Sequence, residues 1–191
     1  ISLPSLATAS GEMSYRLVGA YSSVRRQFKL PVGKFEGVQE VSSVIASNAY
    51  ALEAFRHLVT CGLGAGGTPS VMTAMAKYYA TEMMRESVNH AMDIVGGRAI
   101  QLGPRNFLAF SYQAIPVAIT VEGANILTRT LMIFGQGAMR CHPYLYQELQ
   151  CLQREDDAAV SDFDELFMGH LAYSLHNAAS LVAQKISWGA L

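Results

Sequence analysis

Apolar residues recur at helical spacing along almost the whole chain, and this pattern constrains the fold more than any other feature. Strict alternation, which would indicate strands, is not seen. From Val38 onward, apolar residues lie three, four and seven positions apart on one face: Val41, Val44, Ile45, Leu52, Phe55 and Val59. The spacing predicts a long amphipathic helix over residues 36–61. Thr68 as N-cap and Pro69 at the first helical position predict a second one over 69–95.

The chain after this second helix is punctuated by glycine and proline. Gly96-Gly97 is predicted to end the helix. The apolar run that begins at Phe107 contains Pro116, which disfavours an uninterrupted helix. A further helix is predicted to begin around Thr120 and to run to the glycines at 135–137.

The last third of the chain carries the clearest helical stripe. Ser161 followed by Asp164 resembles a capping box and is predicted to open this helix. The apolar face that follows consists of Phe163, Leu166, Phe167, Leu171, Leu175, Ala178, Leu181 and Val182. The preceding charge run, residues 154–157, is interpreted as a solvated turn.

Short loops between amphipathic helices predict an all-α fold, an antiparallel up-down helix bundle with a C-terminal helical extension and no sheet. We assign residues 1–140 to the bundle and 141–191 to the start of the extension. The chain begins at Ile1 inside an apolar helical pattern, so we expect an upstream part to be missing.

Composition narrows the functional classes. Hydrophobic residues make up 51% and charged residues 15% of the chain, so many helix faces require a partner. The net charge of -1 and the lack of a basic stripe argue against nucleic acid. The apolar runs are shorter than the ~20 residues of a membrane span. We expect a cytoplasmic location, with membrane association as an alternative, and the three cysteines form no paired framework.

Several familiar sites are not supported by the sequence, and no metal is predicted. A di-iron bundle needs Glu-x-x-His pairs, whereas Glu86 and His90 are four positions apart and are interpreted as a surface pair. His170 lies on the apolar stripe and is interpreted as a hydrogen-bonded core residue. The glycine-rich run at 62–67 follows a helix rather than a strand, so it is interpreted as a turn and not as a phosphate loop.

Glu122 is the one carboxylate that suggests chemistry. It is the only charged residue between Arg105 and Arg129, in the run QAIPVAITVEGANILTR. Such a carboxylate either satisfies free amides in the first turn of a helix or has its basicity raised for proton transfer. The residue types alone leave both interpretations open.

Three motifs, in order, resemble the acyl-CoA dehydrogenase family. V-E-G-A-N at 121–125 resembles the family's Tyr-Glu-Gly-Thr-Asn/Ser segment. R-R-Q-F-K-L-P-V at 25–32 resembles its Arg-x-x-Phe-Gly-x-Pro-Ile segment, and M-D-I-V-G-G-R-A-I at 92–100 resembles its segment ending in Gly-Gly-x-Gly-Phe. The tail after Arg140 is most similar to long bacterial fatty-acid dehydrogenases with an extra helical region. The resemblance implies that an upstream helical domain and a middle β-domain are absent here.

The resemblance also implies a reaction and a set of site residues. Glu122 matches the carboxylate that removes the α-proton while flavin N5 takes the β-hydride, giving a trans-2-enoyl-CoA. FAD is the implied cofactor, and the Glu122 N–H is implied to bind the thioester oxygen. Arg25 and Phe28 match residues that contact FAD across a dimer interface, Gly97 matches a glycine near the adenine, and Gly123 one beside the flavin. The implied partners are fatty acyl-CoA, an electron-transfer flavoprotein and further copies of the chain.

The sequence departs from the family pattern at several positions near these residues: Glu36, Asp93, Ala99, Val121, Ala124 and Ile126. These departures leave two alternatives open. An acyl-CoA oxidase would use the same carboxylate but pass electrons to oxygen. A helical interaction module would keep the bundle and lose the cofactor.

Overall fold

The computed structural model describes residues 2–187, and these residues form an all-α fold, as the periodicity predicts. These residues form two compact units, which divide between residues 133 and 134. The elements in chain order are α1 (Ser2–Val24), β1 (Arg26–Gln27), β2 (Leu30–Pro31), a 3-10 helix (Val32–Lys34), α2 (Glu36–Gly64), α3 (Ser70–Val95), α4 (Gly97–Ile100), α5 (Ala109–Thr120), α6 (Asn125–Leu127), a π-helical segment (Thr128–Ala138), α7 (Met139–Cys141), α8 (Leu145–Cys151) and α9 (Ala158–Ile186).

The first unit is built on α1, α2 and α3, which pack against one another, with α5 added against α3. Thr8 near the start of α1 lies beside Leu52 of α2, whereas Val18 near its end shares a core cluster with Ile45, so α1 and α2 run antiparallel. The two helices approach closely at Gly11, where a Cβ would lie 2.8 Å from the Leu52 side chain.

Two clusters of buried side chains form the core of this unit. The first contains Leu3, Ala7, Leu52, Ala80, Met84, Val88, Ile115 and Ala118. The second contains Val18, Ile45, Ala91, Val95, Ala99 and Leu108. Burial of one such large aliphatic side chain contributes about 1.5–3 kcal/mol. Truncating Leu52 to alanine is therefore expected to cost about 2–5 kcal/mol.

The two long helices predicted from periodicity are present, with small differences at their ends. α2 extends to Gly64 rather than to residue 61, and α3 begins at Ser70 rather than at 69. Thr68 is not the N-cap, because Pro69 occupies that position and no side chain caps the helix. Instead, the Ser70 N–H donates to the Thr68 carbonyl at 2.8 Å.

Three other expectations about local structure are wrong. β1 and β2 form a two-stranded antiparallel hairpin where no sheet was predicted, because Phe28 and Lys29 both adopt positive φ and reverse the chain. α5 passes through Pro116 without interruption. Pro116 removes only one N–H donor from the helix, so the loss of hydrogen bonding is confined to one turn. The other residues of α5 are strongly apolar. α5 ends at Thr120, where a helix was predicted to begin, and the next helix begins at Asn125.

The second unit contains α8 and α9, which pack against each other. α9 begins at Ala158, so Ser161 lies inside the helix and is not its cap. Arg154 forms ion pairs with Asp156 and Asp162 in the exposed turn before α9, as expected for the charge run. His170 Nδ1 lies 2.8 Å from Glu148 Oε1, so the predicted hydrogen bond is present, but the side chain is 26% exposed and the prediction of a core residue is wrong.

No single helix within residues 2–187 is long and apolar enough to cross a membrane, although a bent pair, residues 109–120 with 125–141, has the length and composition. No group of three or more His, Cys, Asp or Glu side chains in the same part lies close enough together to hold a metal ion. Glu86 and His90 are 3.9 Å apart on the helix surface, as predicted for a surface pair.

Candidate active site

The candidate site is centred on a four-residue loop, 121–124, between α5 and α6. The loop begins where the Val121 N–H closes the last turn of α5 on the Val117 carbonyl at 2.9 Å. Glu122 then adopts φ 53° and Gly123 φ 90°. A left-handed conformation costs a residue with a Cβ about 1–2 kcal/mol, so other contacts must hold Glu122 there. Glu122 is therefore not a first-turn helix residue.

The Glu122 carboxylate is exposed and lies at a small pocket within the first unit. The Ser2 hydroxyl at the start of α1 lies 3.1 Å and 3.2 Å from its two oxygens. The pocket has a volume of about 180 Å³, and its walls come from α1, α2 and α3; its lining residues include Pro4, Arg56, Val59, Thr73, Ala74 and Met132. The carboxylate is thus held at the edge of a partly apolar space large enough for a few ligand atoms.

The backbone N–H of Glu122 is a second usable group at this place. Within residues 2–187, no backbone carbonyl or side chain accepts a hydrogen bond from it. The neighbouring N–H of Val121, by contrast, is bonded within α5. A carboxylate and a free N–H donor on one exposed residue provide a base and an oxyanion donor side by side.

Beneath the loop lies Lys77 of α3, whose side chain is only 7% exposed. Its Nζ donates to the Gly123 carbonyl at 2.8 Å, to Asn125 Oδ1 at 2.6 Å and to the Ile119 carbonyl at 3.2 Å. An ammonium has three N–H donors, and each one here has an acceptor. One side chain from α3 therefore joins the end of α5, the loop and the start of α6.

Asn125 completes this network and is 4% exposed. Its Nδ2 donates to Thr81 Oγ1 at 2.9 Å and to Glu82 Oε1 at 2.8 Å, both on α3. Its Oδ1 accepts from Lys77, so both ends of the amide are satisfied. The asparagine of the V-E-G-A-N motif thus attaches the loop to α3.

Burial dominates the electrostatics of this network. Removal from water lowers the pKa of the Lys77 ammonium below 10.5, and the nearby carboxylates of Glu122 and Glu82 oppose that shift. Burial disfavours the charged form of a lysine, while neighbouring anions favour it. The two acidic neighbours therefore offset part of the cost of burying the charge next to the loop.

The other predicted site residues lie far from Glu122. Ser2 in the first turn of α1 contacts Glu122, whereas Arg25 follows the last residue of the same helix. A helix of this length spans about 33 Å at ~1.5 Å per residue. Gly97 begins α4, near the Arg25 end of α1, because the Tyr21 hydroxyl bonds to the Val95 carbonyl at 3.2 Å. The structure therefore places Glu122 and Gly123 at one end of the first unit, and Arg25 and Gly97 at the other.

An apolar pocket of about 520 Å³ lies at that second end. It is lined by the last turns of α1 and α3 and by the segment after α4; its residues include Leu17, Tyr21, Val24, Val95, Arg98, Phe107 and Leu108. Phe28, in the adjoining hairpin, is 88% exposed and contacts Phe35 edge-on. This end thus combines basic, aromatic and apolar groups.

Two residues of the site were missed by the sequence analysis, Lys77 and Ser2. Lys77 shares one helical stripe with Thr81, Met84 and Val88, all buried, and a lysine on a buried stripe is a usable signal for a special role. The Ser2 contact spans 120 residues and has no sequence signal.

Comparisons with known proteins agree with these motifs. The family model "Acyl-CoA dehydrogenase, C-terminal domain" matches residues 4–133, and "Acyl-CoA dehydrogenase, C-terminal, bacterial type" matches residues 139–191. An acyl-CoA dehydrogenase structure from Geobacillus kaustophilus is 26% identical, with a TM-score of 0.66, over 70% of this chain and 34% of that one.

Two further solved structures are similar. A glutaryl-coenzyme A dehydrogenase in complex with glutaryl-CoA is 26% identical, with a TM-score of 0.59, over 71% of this chain and 34% of that one. The FAD complex of PigA is 17% identical, with a TM-score of 0.66, over 72% of this chain and 35% of that one, a likeness in fold alone.

The chain thus spans about a third of the length of the solved structures that it matches. The first family model covers most of the chain, including the loop with Glu122, the hairpin after α1 and the end of α3. The chain belongs to the acyl-CoA dehydrogenase family and carries the family's C-terminal helical domain.

Proposed function

We propose that this chain is the C-terminal helical part of an FAD-dependent dehydrogenase that desaturates fatty acyl-CoA between the α- and β-carbons. The observation that carries the proposal is Glu122, an exposed carboxylate held in a left-handed loop at a pocket within this family's domain. Fatty acyl chains are the proposed substrates because residues 139–191 match the bacterial type of the family's C-terminal model and the tail after Arg140 resembles that of long bacterial fatty-acid dehydrogenases.

Glu122 has the position and chemistry required of the base. A carboxylate oxygen takes the α-proton of the thioester, and the Ser2 hydroxyl holds that carboxylate in place. The Glu122 N–H donates to the thioester oxygen, where negative charge develops as the proton leaves. Bound FAD supplies the acceptor for the β-hydride. Together these steps leave a trans α,β double bond.

The residues proposed to hold FAD fit that group. A Cβ added at Gly97 would meet nothing within 4 Å, so the chain's own packing does not require a glycine there. The missing side chain leaves backbone accessible to an approaching molecule. Arg25 presents a planar fork suited to phosphate oxygens beside the exposed Phe28 ring. Gly123 differs, because its φ is 90° and an added Cβ would lie 3.1 Å from Thr128 Oγ1, so the chain's own backbone already favours glycine there.

The distance between these two groups of residues supports a site shared between subunits. Arg25 and Glu122 lie at opposite ends of α1, about 33 Å apart at ~1.5 Å per residue. We propose that Arg25 and Phe28 contact the flavin of a neighbouring copy, and that the active protein is a homo-oligomer. Exposed apolar residues near this end, such as Val24, Leu102 and Phe107, would then be covered.

Substrate class, electron acceptor and location complete the proposal. One related structure holds glutaryl-CoA, and for this chain we propose a fatty acyl-CoA instead. We propose an electron-transfer flavoprotein as the acceptor for this chain and a cytoplasmic location.

The experiment that tests the proposal is the Glu122→Gln change in the complete enzyme. Glutamine keeps the shape and the hydrogen bond from Ser2 but removes the basic oxygen. We expect the fold and the flavin to be retained, while bleaching of the flavin absorbance by excess acyl-CoA slows by about 10²–10⁴-fold or more. Rapid-mixing absorbance measures this rate.

Three outcomes would change the assignment. Bleaching of Glu122→Gln near the wild-type rate would mean that Glu122 is not the base. Absence of flavin from the wild-type enzyme would support a helical interaction module instead. Rapid reoxidation of the bleached enzyme by air would indicate an acyl-CoA oxidase, which uses the same carboxylate.

A further inference from the structure

We propose that Lys77 is the positioning residue that holds Glu122 in its reactive conformation. The inference rests on the proposed function, because it assigns Lys77 a role in the reaction of that site. Lys77 lies on α3, 45 positions before Glu122 in the sequence, and its Nζ reaches the loop from below. It does not bond to the Glu122 carboxylate, so its effect acts through the backbone on either side.

The three acceptors of Lys77 bracket the base. The Ile119 carbonyl, at 3.2 Å, belongs to the last turn of α5, and the Gly123 carbonyl, at 2.8 Å, directly follows Glu122. Asn125 Oδ1, at 2.6 Å, belongs to the first residue of α6. These three points fix the entry, centre and exit of a loop in which Glu122 and Gly123 both have positive φ. Backbone of this kind persists only where the surrounding contacts hold it, and the lysine supplies three of those contacts.

The choice of a cation follows from the geometry. Each of the three oxygens is an acceptor, and a single group that donates to all of them within a buried space is an ammonium. A neutral side chain of similar length, such as methionine, would leave the three oxygens without this donor. Burial disfavours a positive charge at this place, and the nearby carboxylates of Glu122 and Glu82 oppose that effect.

A purely structural role is the competing explanation and makes a different prediction. If Lys77 only stabilised the bundle, its loss would act like any other destabilising change in the core of α3. Val88 provides that comparison, because it is fully buried on the same helix and belongs to the first core cluster. Val88→Ala removes packing without removing a contact to the loop.

The test compares Lys77→Met with Val88→Ala in the complete enzyme. The first measurement, called loop exchange, is hydrogen exchange of the Val121 and Thr128 amides, whose bonds to the Val117 and Ala124 carbonyls, both 2.9 Å, close the two ends of the loop. It needs neither substrate nor flavin chemistry. We expect exchange in this loop to be at least about tenfold faster in Lys77→Met and unchanged in Val88→Ala, by analogy with local opening elsewhere in proteins. Loop exchange at the wild-type rate in Lys77→Met would overturn the inference.

The second measurement is the rate of flavin bleaching at saturating acyl-CoA. We expect Lys77→Met to bleach at least about tenfold more slowly, with little change in the half-saturating substrate concentration, because base orientation and not binding is lost. Val88→Ala should bleach at the wild-type rate even where it lowers Tm. An equal loss of rate in both variants would assign Lys77 to stability alone.

A second substitution keeps the test decisive if Lys77→Met does not fold. Lys77→Arg retains the charge, but its planar fork cannot direct donors to acceptors on three sides. Faster loop exchange and slower bleaching are expected again, and wild-type values of both would overturn the inference. Failure of the proposed function gives a different result, because the flavin of Glu122→Gln would then be bleached rapidly. If Glu122→Gln is inactive and the Lys77 variants behave like the wild type, only the role of Lys77 is contradicted.

Discussion

The Ser2 hydroxyl lies within hydrogen-bonding distance of both carboxylate oxygens of Glu122, at 3.1 Å and 3.2 Å, across 120 residues of sequence. The hydroxyl proton can be donated to either oxygen while the other remains free. The first turn of α1 is thereby placed against the loop that carries the proposed base. Ser2 acts on the side chain of Glu122, whereas Lys77 acts on the backbone around it.

Ser2→Ala is expected to slow flavin bleaching in the complete enzyme by about 2- to 10-fold, equivalent to the ~0.5–1.5 kcal/mol of one hydrogen bond. The base stays in place but loses its fixed orientation, so the effect is smaller than that of Glu122→Gln. Ser5→Ala, an exposed serine on the next turn of α1, is the matched control and should be neutral. Equal rates for both variants would show that the hydroxyl has no role.

Arg25→Ala is expected to weaken FAD retention by about 10- to 100-fold, because a charge-assisted hydrogen bond contributes ~1.5–3 kcal/mol. Arg26→Ala is the control, since its guanidinium bonds locally to the Lys29 carbonyl at 3.3 Å. Gel filtration and flavin absorbance of both variants measure oligomer size and FAD content. Unchanged values in Arg25→Ala would remove Arg25 from the proposed flavin site.

Gly97→Ala and Gly123→Ala are expected to have opposite effects. Alanine at Gly123 is strained by φ 90° and by Thr128 Oγ1, and should lower the free energy of unfolding by about 1–2 kcal/mol. Alanine at Gly97 meets nothing within 4 Å, so stability should be unchanged or higher by about 0.4–1 kcal/mol, while FAD binding weakens. Urea unfolding and FAD titration separate the two. Equal FAD affinity of Gly97→Ala and wild type would contradict the proposed approach of the cofactor.

The lowered pKa of Lys77 predicts a pH dependence of stability. Below that lowered pKa, both folded and unfolded chains carry the proton, and the full cost of burying the charge is present. Between it and 10.5, the folded chain has released a proton that the unfolded chain still holds, so stability rises with pH. The unfolding free energy of wild type relative to Lys77→Met should therefore increase as pH rises towards 10.5. A flat difference would mean that burial does not lower this pKa.

The long helices could be predicted from the sequence because the signal for them is local. In α2 and α3, apolar residues repeat at the helical period, and glycine or proline lies near each end, so neighbouring residues carry the whole pattern. Helix ends were less predictable. Threonine is a residue type that often caps helices, but here the Thr68 backbone carbonyl, and not its side chain, accepts the hydrogen bond from the Ser70 N–H.

Glu122 itself was identifiable because a lone carboxylate in an apolar run, within a motif, is a local feature as well. The left-handed backbone of Glu122 could not be predicted, since V-E-G could equally begin a helix. The prediction of a helix from Thr120 was wrong for that reason. Pro116 likewise suggested a break that neighbouring apolar contacts of α5 override, as Ile115 and Ala118 are buried in the first core cluster.

The sequence by itself determined the all-α fold, the two long helices and the candidate base, because each depends on residues that are neighbours along the chain. Only the tertiary structure decided how that base is held. Lys77 meets Gly123 and Asn125 across 46 and 48 residues, and Ser2 meets Glu122 across 120. Such pairings depend on which helix faces pack together, and a helical period specifies a face without specifying its partner.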